Sequence, residues 1–332
     1  MSSFPLHKLP NNAAKLVLMH MEPQEKFAYS FCSKTTKNIV KSLNLTAITI
    51  KFEVGMDMAF RVRIDRHTTL LIAIPFDLVR RGHTFRIFVE GCFEDGSSFR
   101  RCWLLPKYSR QKVCHHLLEI FHHPKLDEVF FENDELDIED IESVQRTLDG
   151  VKMRSLSLVW QLTEEFRSWA LRTFQNYDEL YVRNFNSQKD EKILMQNLRR
   201  VVNVHAYAMT IDQVLISNSE LIQFNSTLFV EKDFNRFLKL WIRGSNPRLK
   251  KFHAGGSPLY RHLQAELILK GIKYRQIPSD SEEVHVRKMI GGWEDETELA
   301  GGYIIRRFDG DDAVVVIEDE RFDFITDCFQ SN

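Results

Sequence analysis

Residues 4 to 43 carry more apolar side chains than so short a segment can bury by itself. Pro10 and Pro23 can each open a helix, because the first helical turn does not need the N–H that proline lacks. From Ala13 to Met21 the apolar residues wrap most of the way round a helix, which predicts packing on most sides. Ser33 is placed to cap a third helix. The solvent-facing side of that helix is predicted to carry Lys34, Lys37 and Lys41. Three short helices are at the lower limit for independent folding, so the leftover apolar surface predicts a partner.

The same segment matches a spaced motif at many independent positions. They are Leu9, Pro10, Ala13, Val17, Leu18, Met21, Pro23, Glu25, Phe27, Ser30, Cys32, Ser33 and Lys34. Through them the segment resembles the F-box of the large nematode-type F-box families, which implies an F-box over residues 1–45 that docks onto a Skp-family adaptor. The adaptor-binding residues implied are Leu9, Pro10, Val17, Leu18, Met21, Pro23 and Phe27. Lys26 stands where such sequences usually carry an apolar residue. The alternative interpretation is a plain three-helix cap.

Composition excludes several broad classes of protein. The chain has 332 residues, 43% of them hydrophobic, and a formal net charge of −1, so no global field favours nucleic acid or an acidic membrane. The N-terminus lacks the layout of a signal peptide, and the longest apolar runs are of strand length. Five cysteines form no C-x-x-C pair, which argues against a zinc ribbon or a thioredoxin-type site. We therefore expect a soluble protein of the cytoplasm, the nucleus or both.

Residues 46–108 change to the two-residue period of β-strands. Phe60, Val62 and Ile64 alternate with polar residues, and residues 70 to 74 form a continuous apolar run that ends at Pro75. The Asp95-Gly96 pair favours a tight hairpin turn between two further strands. The segment predicts a small antiparallel sheet of four or five strands that connects the F-box to the rest of the chain.

Residues 109–290 contain a recurring strand-and-helix pattern. The central strand positions are Val129, Leu156, Leu180, Val202, Ile222 and Phe252, separated by steps of 27, 24, 22, 20 and 30 residues. Most of these steps fall in the range of about 20–29 residues typical of leucine-rich repeats. Helices are predicted at residues 139–148, 164–174, 190–198, 211–216 and 231–242. The pattern predicts a leucine-rich-repeat-like α/β solenoid and, for the whole chain, a mixed α/β fold.

The helix from Glu231 carries an apolar stripe that runs from Phe234 to Ile242, and Gly244 stands where a left-handed C-cap is expected. The motif positions are Phe234, Phe237, Leu238, Trp241, Gly244, Asn246, Pro247, Arg248 and Leu249. Through them the stretch resembles the core of the type 2 F-box-associated domain that follows the F-box in these families.

Residues 291–332 predict a C-terminal β-hairpin. Gly301-Gly302 precedes one strand, Asp309-Gly310 forms the turn, and an apolar run follows from Ala313 to Ile317. The stretch resembles the closing Gly-Gly and I-x-R-x-D-G hairpin of the same families through Ile305 and Arg307, although Ile304 stands where an aspartate is usual. We predict that this hairpin caps the open end of the solenoid.

Candidate chemistry is sparse along the whole chain. The histidine doublets at positions 115–116 and 122–123 are predicted on one helix, residues 111–123, where equivalent members are too far apart to share a metal ion. His116 with Glu119 is the only close pair among them. Acidic residues between 132 and 142 are explained by a solvated loop and the start of a helix. Nucleotide-binding and hydrolase motifs are missing. We predict no catalytic residue, no cofactor and no metal site.

The resemblance implies a substrate-recognition subunit of an SCF-type, cullin-RING ubiquitin ligase. The F-box would bind a Skp-family adaptor, and through it a cullin, while the repeat-like domain binds a protein substrate. Polar strand positions predicted to contact that substrate are Glu128, Ser157, Tyr181, His205, Gln223 and His253. A second hypothesis, favoured by Lys26, is an interaction scaffold that works outside any ligase. A third, a hydrolase within the repeats, has no residue set to support it.

Overall fold

A computed structural model gives the fold in two units, Met1–Tyr177 and Asp178–Asn332, referred to below as the first and second units. The structure describes residues 9–55, 57–66, 68–74, 85–92, 98–105, 109–134, 136, 138–159, 162–185, 191–255, 262–278, 301–318 and 320–326. Both units combine helices with a β-sheet, which confirms the predicted mixed α/β class. The predicted domain boundaries stay predictions.

The first unit begins with three short helices. They are α1 (Asn11–Met19), α2 (Pro23–Ser30) and α3 (Lys34–Lys41). Pro23 occupies the first turn of α2, as expected for a residue without an N–H. Ser33 caps α3 as predicted, because its hydroxyl accepts the Thr36 N–H at 3.1 Å and the Thr36 hydroxyl accepts the Ser33 N–H at 2.9 Å.

Five antiparallel strands follow, which agrees with the predicted number, but they form part of a larger sheet and not a small separate one. They are β1 (Thr49–Val54), β2 (Met58–Arg63), β3 (Thr69–Ile74), β4 (Phe85–Cys92) and β5 (Ser98–Leu105). Each strand pairs with the next in the chain. Alternate residues of β1 are buried, so one face of the sheet contributes to a core. The predicted Asp95-Gly96 turn lies outside the described residues.

The rest of the first unit extends this sheet in parallel. The further elements are α4 (Arg110–Ile120), β6 (Leu126–Phe131), α5 (Ile138–Leu148), β7 (Met153–Leu158) and α6 (Glu164–Thr173). Strand β6 pairs in parallel with β1 and with β7. The predicted helix 111–123 was too long. It ends at Ile120, and His122 has a left-handed φ of 50°, so the two histidine doublets do not share one helix.

The second unit has four parallel strands followed by an antiparallel group. The strands are β8 (Glu179–Val182), β9 (Arg200–Asn203), β10 (Leu221–Asn225), β11 (Lys251–Gly255), β12 (Tyr274–Ile277), β13 (Gly302–Arg306), β14 (Asp312–Glu318) and β15 (Arg321–Ile325). Within this unit the strand order is β12-β13-β14-β15-β11-β10-β9-β8. Strands β13 and β14 form the predicted C-terminal hairpin, and β15 returns to pair with β11.

Helices cover one face of the sheet in the second unit. They are α7 (Glu191–Leu194), α8 (Ile211–Ile216), α9 (Glu231–Ile242) and α10 (Ala265–Ile268). The predicted bounds of α8 and α9 are confirmed, whereas the helix predicted at 190–198 is limited to α7. Phe237 of α9 packs edge-on against Phe252 at 5.1 Å and Phe324 at 5.2 Å, so α9 covers the centre of the sheet.

Strand register corrects one predicted repeat position. Leu180, Val201, Ile222 and Phe252 lie side by side on the face that α9 covers. The predicted position Val202 points to the opposite face, because successive strand residues alternate. Both valines are buried, so hydrophobicity alone did not distinguish them.

Candidate functional site

Helix α1 presents an apolar surface to solvent in the first unit. Leu16, Val17 and Met19 are 63%, 43% and 60% exposed and are referred to below as the α1 surface. Ala14 and Leu18, on the other side of the same helix, are buried. A helix of a monomeric soluble protein does not normally expose several neighbouring large apolar residues. This surface is therefore suited to contact with another protein.

The predicted adaptor-binding residues fall into three groups by exposure. Pro10 and Val17 are exposed. The half-buried members of the set are Leu9, Met21 and Pro23. Leu18 and Phe27 are 0% and 1% exposed, which corrects their assignment: they pack inside the first unit and do not reach its surface. The sequence prediction did not include Leu16 and Met19, which the structure leaves exposed on the side of α1 away from Ala14.

Lys26, the unusual residue of the motif, lies beside this surface. Its Nζ donates to the Met19 carbonyl oxygen at 3.4 Å. The side chain is half-buried, and its ammonium group is held at the C-terminal end of α1, where free helix carbonyls attract a cation. The charge is therefore at the margin of the α1 surface.

Helix α2 is fastened to α4 through a buried histidine. The Ser30 hydroxyl and His116 Nε2 are 2.7 Å apart, and the imidazole stacks on Phe31 with 4.0 Å between ring centres. Desolvation, with a smaller contribution from Lys37, lowers the pKa of His116 to about 4. His116 is therefore neutral near pH 7 and serves as a packed, hydrogen-bonded core residue.

Helix α3 meets the same helix through charge. Lys37 and Lys41 both pair with Glu119, the second at 3.1 Å, and the hydrogen bond from Lys37 is the main reason that the pKa of Glu119 is lowered. This corrects the prediction that these lysines simply face water. His116 and Glu119 thus have separate partners, and within the described ranges no group of three or more His, Cys, Asp or Glu side chains could hold a metal ion.

The second unit places three predicted substrate residues in one row. Tyr181, Gln223 and His253 occupy equivalent register positions on β8, β10 and β11, with Val202 between the first two and Asp323 of β15 beyond the last. Side chains in register on neighbouring strands point to the same face. The residues of β8–β11 and β15 that point away from α9 are referred to below as the polar face.

A buried carboxylate organises one end of the polar face. Asp323 accepts from His253 Nδ1 at 2.9 Å and pairs with Arg321 Nε at 2.7 Å. Burial alone would raise the pKa of Asp323, but the His253 hydrogen bond and the nearby cationic charges outweigh it and lower the pKa. Asp323 is consequently an anion that orients both of its partners.

A second buried carboxylate organises the other end. Glu179 accepts from the Tyr181 hydroxyl at 2.9 Å and pairs with Arg199. Arg200 donates to the same hydroxyl at 3.2 Å. Burial, followed by the charge of Glu179, raises the pKa of Tyr181, so the phenol stays protonated and donates. The sequence prediction named Tyr181 without these charged neighbours. Glu179 is two residues away on the same strand, whereas Arg200 meets Tyr181 only through the pairing of β8 with β9.

The other predicted substrate residues lie elsewhere. Glu128 pairs with Lys51 at 2.7 Å in the first unit, where Ser157 is only 3% exposed, which corrects the prediction that Ser157 is a contact residue. His205 follows β9 and lies 5.7 Å from the half-exposed ring of Tyr207. The structure therefore assembles three of the six predicted positions in one row.

The motif residues of α9 and of the C-terminal hairpin meet in the core. Arg307 lies 5.7 Å from the Trp241 ring centre and donates to the Gly244 carbonyl oxygen at 3.1 Å. Gly244 has the predicted left-handed conformation, with φ of 106°, and a side chain there would collide with the Phe308 ring. Asn246 donates to the Val214 and Ser217 carbonyl oxygens at the end of α8. These motifs are structural.

Comparisons with known proteins match two regions of the chain. Residues 6–47 match the F-box domain model, and residues 189–254 match a model described as F-box associated. The chain is 36% identical over 61 residues to the F-box associated domain-containing protein sdz-33 of Caenorhabditis elegans. That alignment covers 18% of this chain and only 20% of the relative. No solved structure matches the chain.

Proposed function

We propose that this chain, which carries an F-box followed by an F-box-associated domain, is the substrate-recognition subunit of an SCF-type ubiquitin ligase. The observation that carries the proposal is the α1 surface, where Leu16, Val17 and Met19 lie exposed inside the F-box match. A Skp-family adaptor would cover these side chains and link the chain to a cullin. Burial of each large apolar side chain would stabilise the complex by about 1.5–3 kcal/mol before the costs of association.

The chain itself would contribute proximity to the ligase. A substrate held by the second unit is kept near a ubiquitin-charged enzyme bound elsewhere in the assembly, which raises the effective concentration of its lysines. The contacts of His116 and Glu119 support this role, because they fix the F-box helices to α4. The F-box is therefore held at a defined orientation within the first unit.

The second unit would supply the substrate-binding surface. Its strands β8 to β11 run in parallel with helices between them, and this supports the interpretation as a leucine-rich-repeat-like array. The hairpin β13–β14, with β15 against β11, would cap that array. We propose that Tyr181, Gln223 and His253 contact the substrate. We also propose a cytoplasmic or nuclear location, which imaging of the tagged chain would test.

Co-purification with a Skp-family adaptor tests the proposal. Val17→Asp combined with Leu16→Asp places two charges on the α1 surface, so we expect adaptor binding to fall at least about tenfold, because an unpaired buried charge is costly. Both positions are exposed, so the fold should be retained. Leu9→Ala with Pro10→Ala should also weaken binding.

Leu267→Asp is the matched control, because Leu267 is a 47% exposed apolar residue in the second unit. It should leave adaptor binding unchanged. Retained adaptor binding by the Leu16/Val17 variant would show that α1 is not the docking element. Failure of the wild-type chain to bind any Skp-family adaptor would refute the ligase assignment.

Lys26 favours a second candidate, an interaction scaffold outside any ligase. Its ammonium group lies next to Met19, so an adaptor that covers Met19 must also accommodate a cation there. Reconstitution with adaptor, cullin and ubiquitin enzymes separates the two functions. Ubiquitin chains on a bound protein support the ligase, whereas a stable complex without chain formation supports the scaffold.

A further inference from the structure

We propose that the polar face of the second unit binds an acidic, extended segment of the substrate protein. The inference rests on the proposed function, because it assigns a chemical class to the substrate of that receptor. It depends on which charged side chains of the polar face are buried and which are accessible to solvent.

The two buried carboxylates at the ends of the polar face lie beneath cations. Glu179 and Asp323 are each 3% exposed. The side chains of Arg199 and Arg321 are 41% and 36% exposed, and Arg200 and Lys251 are also half-exposed. Together with Arg199, which directly precedes β9, four cations therefore reach solvent, whereas the two carboxylates do not. At the margin, Glu318 of β14 is exposed and pairs with Arg321 at 3.3 Å.

The buried carboxylates hold the cations in place for a ligand. Asp323 orients Arg321 and His253, and Glu179 orients Arg199 and the Tyr181 hydroxyl. A guanidinium carries five N–H donors, so the two ion pairs of Arg321 leave donors directed elsewhere. Carboxylates of a bound peptide are the natural acceptors, because guanidinium and carboxylate groups match in geometry. Preorganised cations lose less conformational entropy on binding.

The size of the polar face suits an extended chain. Five strands at about 4.8 Å spacing span about 20 Å, which an extended peptide crosses with about six residues at about 3.3 Å each. Arg200 on β9 and Lys251 on β11 are in the same register row, with Leu221 of β10 between them. An acidic segment that crosses the strands would therefore meet a cation on alternate strands and an apolar side chain between them.

Fluorescence anisotropy with the purified full chain tests the inference. The probe is a labelled poly-glutamate peptide of about twelve residues, about twice the estimated span. We expect Lys251→Gln or Arg200→Gln to weaken binding about fivefold, and the double variant about 25-fold. Added salt should weaken wild-type binding. Lys250→Gln is the matched control, because Lys250 is the preceding residue and pairs with Glu220 at 2.8 Å; it should change binding less than about twofold.

Three results would overturn the inference: no binding of poly-glutamate, equal binding by wild type and the double variant, or tighter binding of poly-lysine. Tighter binding of a single-stranded poly-uridine oligonucleotide would also overturn it, in favour of nucleic acid. Adaptor binding is measured on the same samples. If poly-glutamate does not bind but the adaptor does, only this inference fails. If the adaptor does not bind but poly-glutamate does, the proposed function fails and the chemistry of the polar face stands.

Discussion

Motif residues occupy different environments in the two matched regions. In the F-box-associated region, Phe237, Leu238 and Trp241 are completely buried and make the core of the second unit. In the F-box, Pro10 and Val17 are exposed. A motif residue inside a core is constrained by the chain's own fold, whereas an exposed apolar motif residue has no such constraint. The F-box motif therefore includes apolar residues that lie exposed, whereas these three residues of the other motif belong to a core.

The largest expected effect is at Trp241, whose ring packs against Phe324 at 4.9 Å and lies beneath Arg307. Trp241→Ala should lower the free energy of unfolding of the second unit by about 3–5 kcal/mol, because it leaves a cavity and removes the aromatic support of Arg307. Urea denaturation measures the loss. Leu267→Ala, at an exposed position, should cost less than about 0.5 kcal/mol. Similar losses of stability for both variants would contradict the assignment of Trp241 to the core and of Leu267 to the surface.

Two adjacent residues of α1, one buried and one exposed, test the difference between core and surface positions within the F-box. Leu18→Ala should lower the free energy of unfolding of the first unit by about 2–5 kcal/mol, because Leu18 is fully buried. Val17→Ala should change it by less than about 0.5 kcal/mol and instead weaken adaptor binding. Thermal denaturation and adaptor co-purification separate the two effects. If Val17→Ala is the more destabilising of the pair, α1 is oriented differently.

His116 should make the first unit sensitive to acid. Its pKa of about 4 in the folded chain lies below the ordinary value of 6.5, so the unfolded chain binds the proton first as pH falls. Folding should therefore lose up to about 3 kcal/mol between pH 6.5 and pH 4, with full stability above that window. Denaturation at successive pH values measures how the free energy of unfolding depends on pH.

His116→Gln is the control for this dependence on pH, because the glutamine amide reaches about as far as Nε2 and can still bond to Ser30 but does not titrate. The variant should be less stable near pH 7 through lost packing on Phe31, yet lose less stability on acidification than wild type. An unchanged dependence on pH would show that other groups dominate the acid response.

The smallest expected effect is a gain in stability at Asn203. Its amide is 1% exposed on the face that α9 covers and has no hydrogen-bond partner among the residues that the structure describes. Asn203→Val should raise the free energy of unfolding by about 1 kcal/mol, because it removes an unsatisfied polar group from a strand. A loss of stability would show that the amide is hydrogen-bonded in solution. Gln223→Val, on the polar face, should give no comparable gain.

Local patterns predicted several elements correctly. Helices α8 and α9 begin and end at the predicted residues, because their boundaries follow from caps and an apolar stripe within one stretch of chain. Ser33 and Gly244 also play their predicted capping roles. Each of these features depends on residues only a few positions apart, so a single sequence contains the information.

The predicted environment of a side chain was wrong where it depended on residues far away in the sequence. Lys37 was predicted to face solvent, but it forms an ion pair with Glu119 of α4. Phe27 fitted the motif of a docking residue, yet it packs near His116, 6.3 Å away between ring centres. Val202 and Val201 could not be ranked, because the register with β8 and β10 decides which face each occupies.

The sequence by itself determined the mixed α/β class, the three N-terminal helices and the two F-box-related matches, because these depend on short-range periodicity and motif spacing. Only the tertiary structure decided which motif residues stay exposed and which charges meet. Leu16 and Leu18 are the same type of residue, but packing buries Leu18 and leaves Leu16 in solvent. His253 and Asp323 are 70 positions apart, and they become partners only because β15 returns to pair with β11.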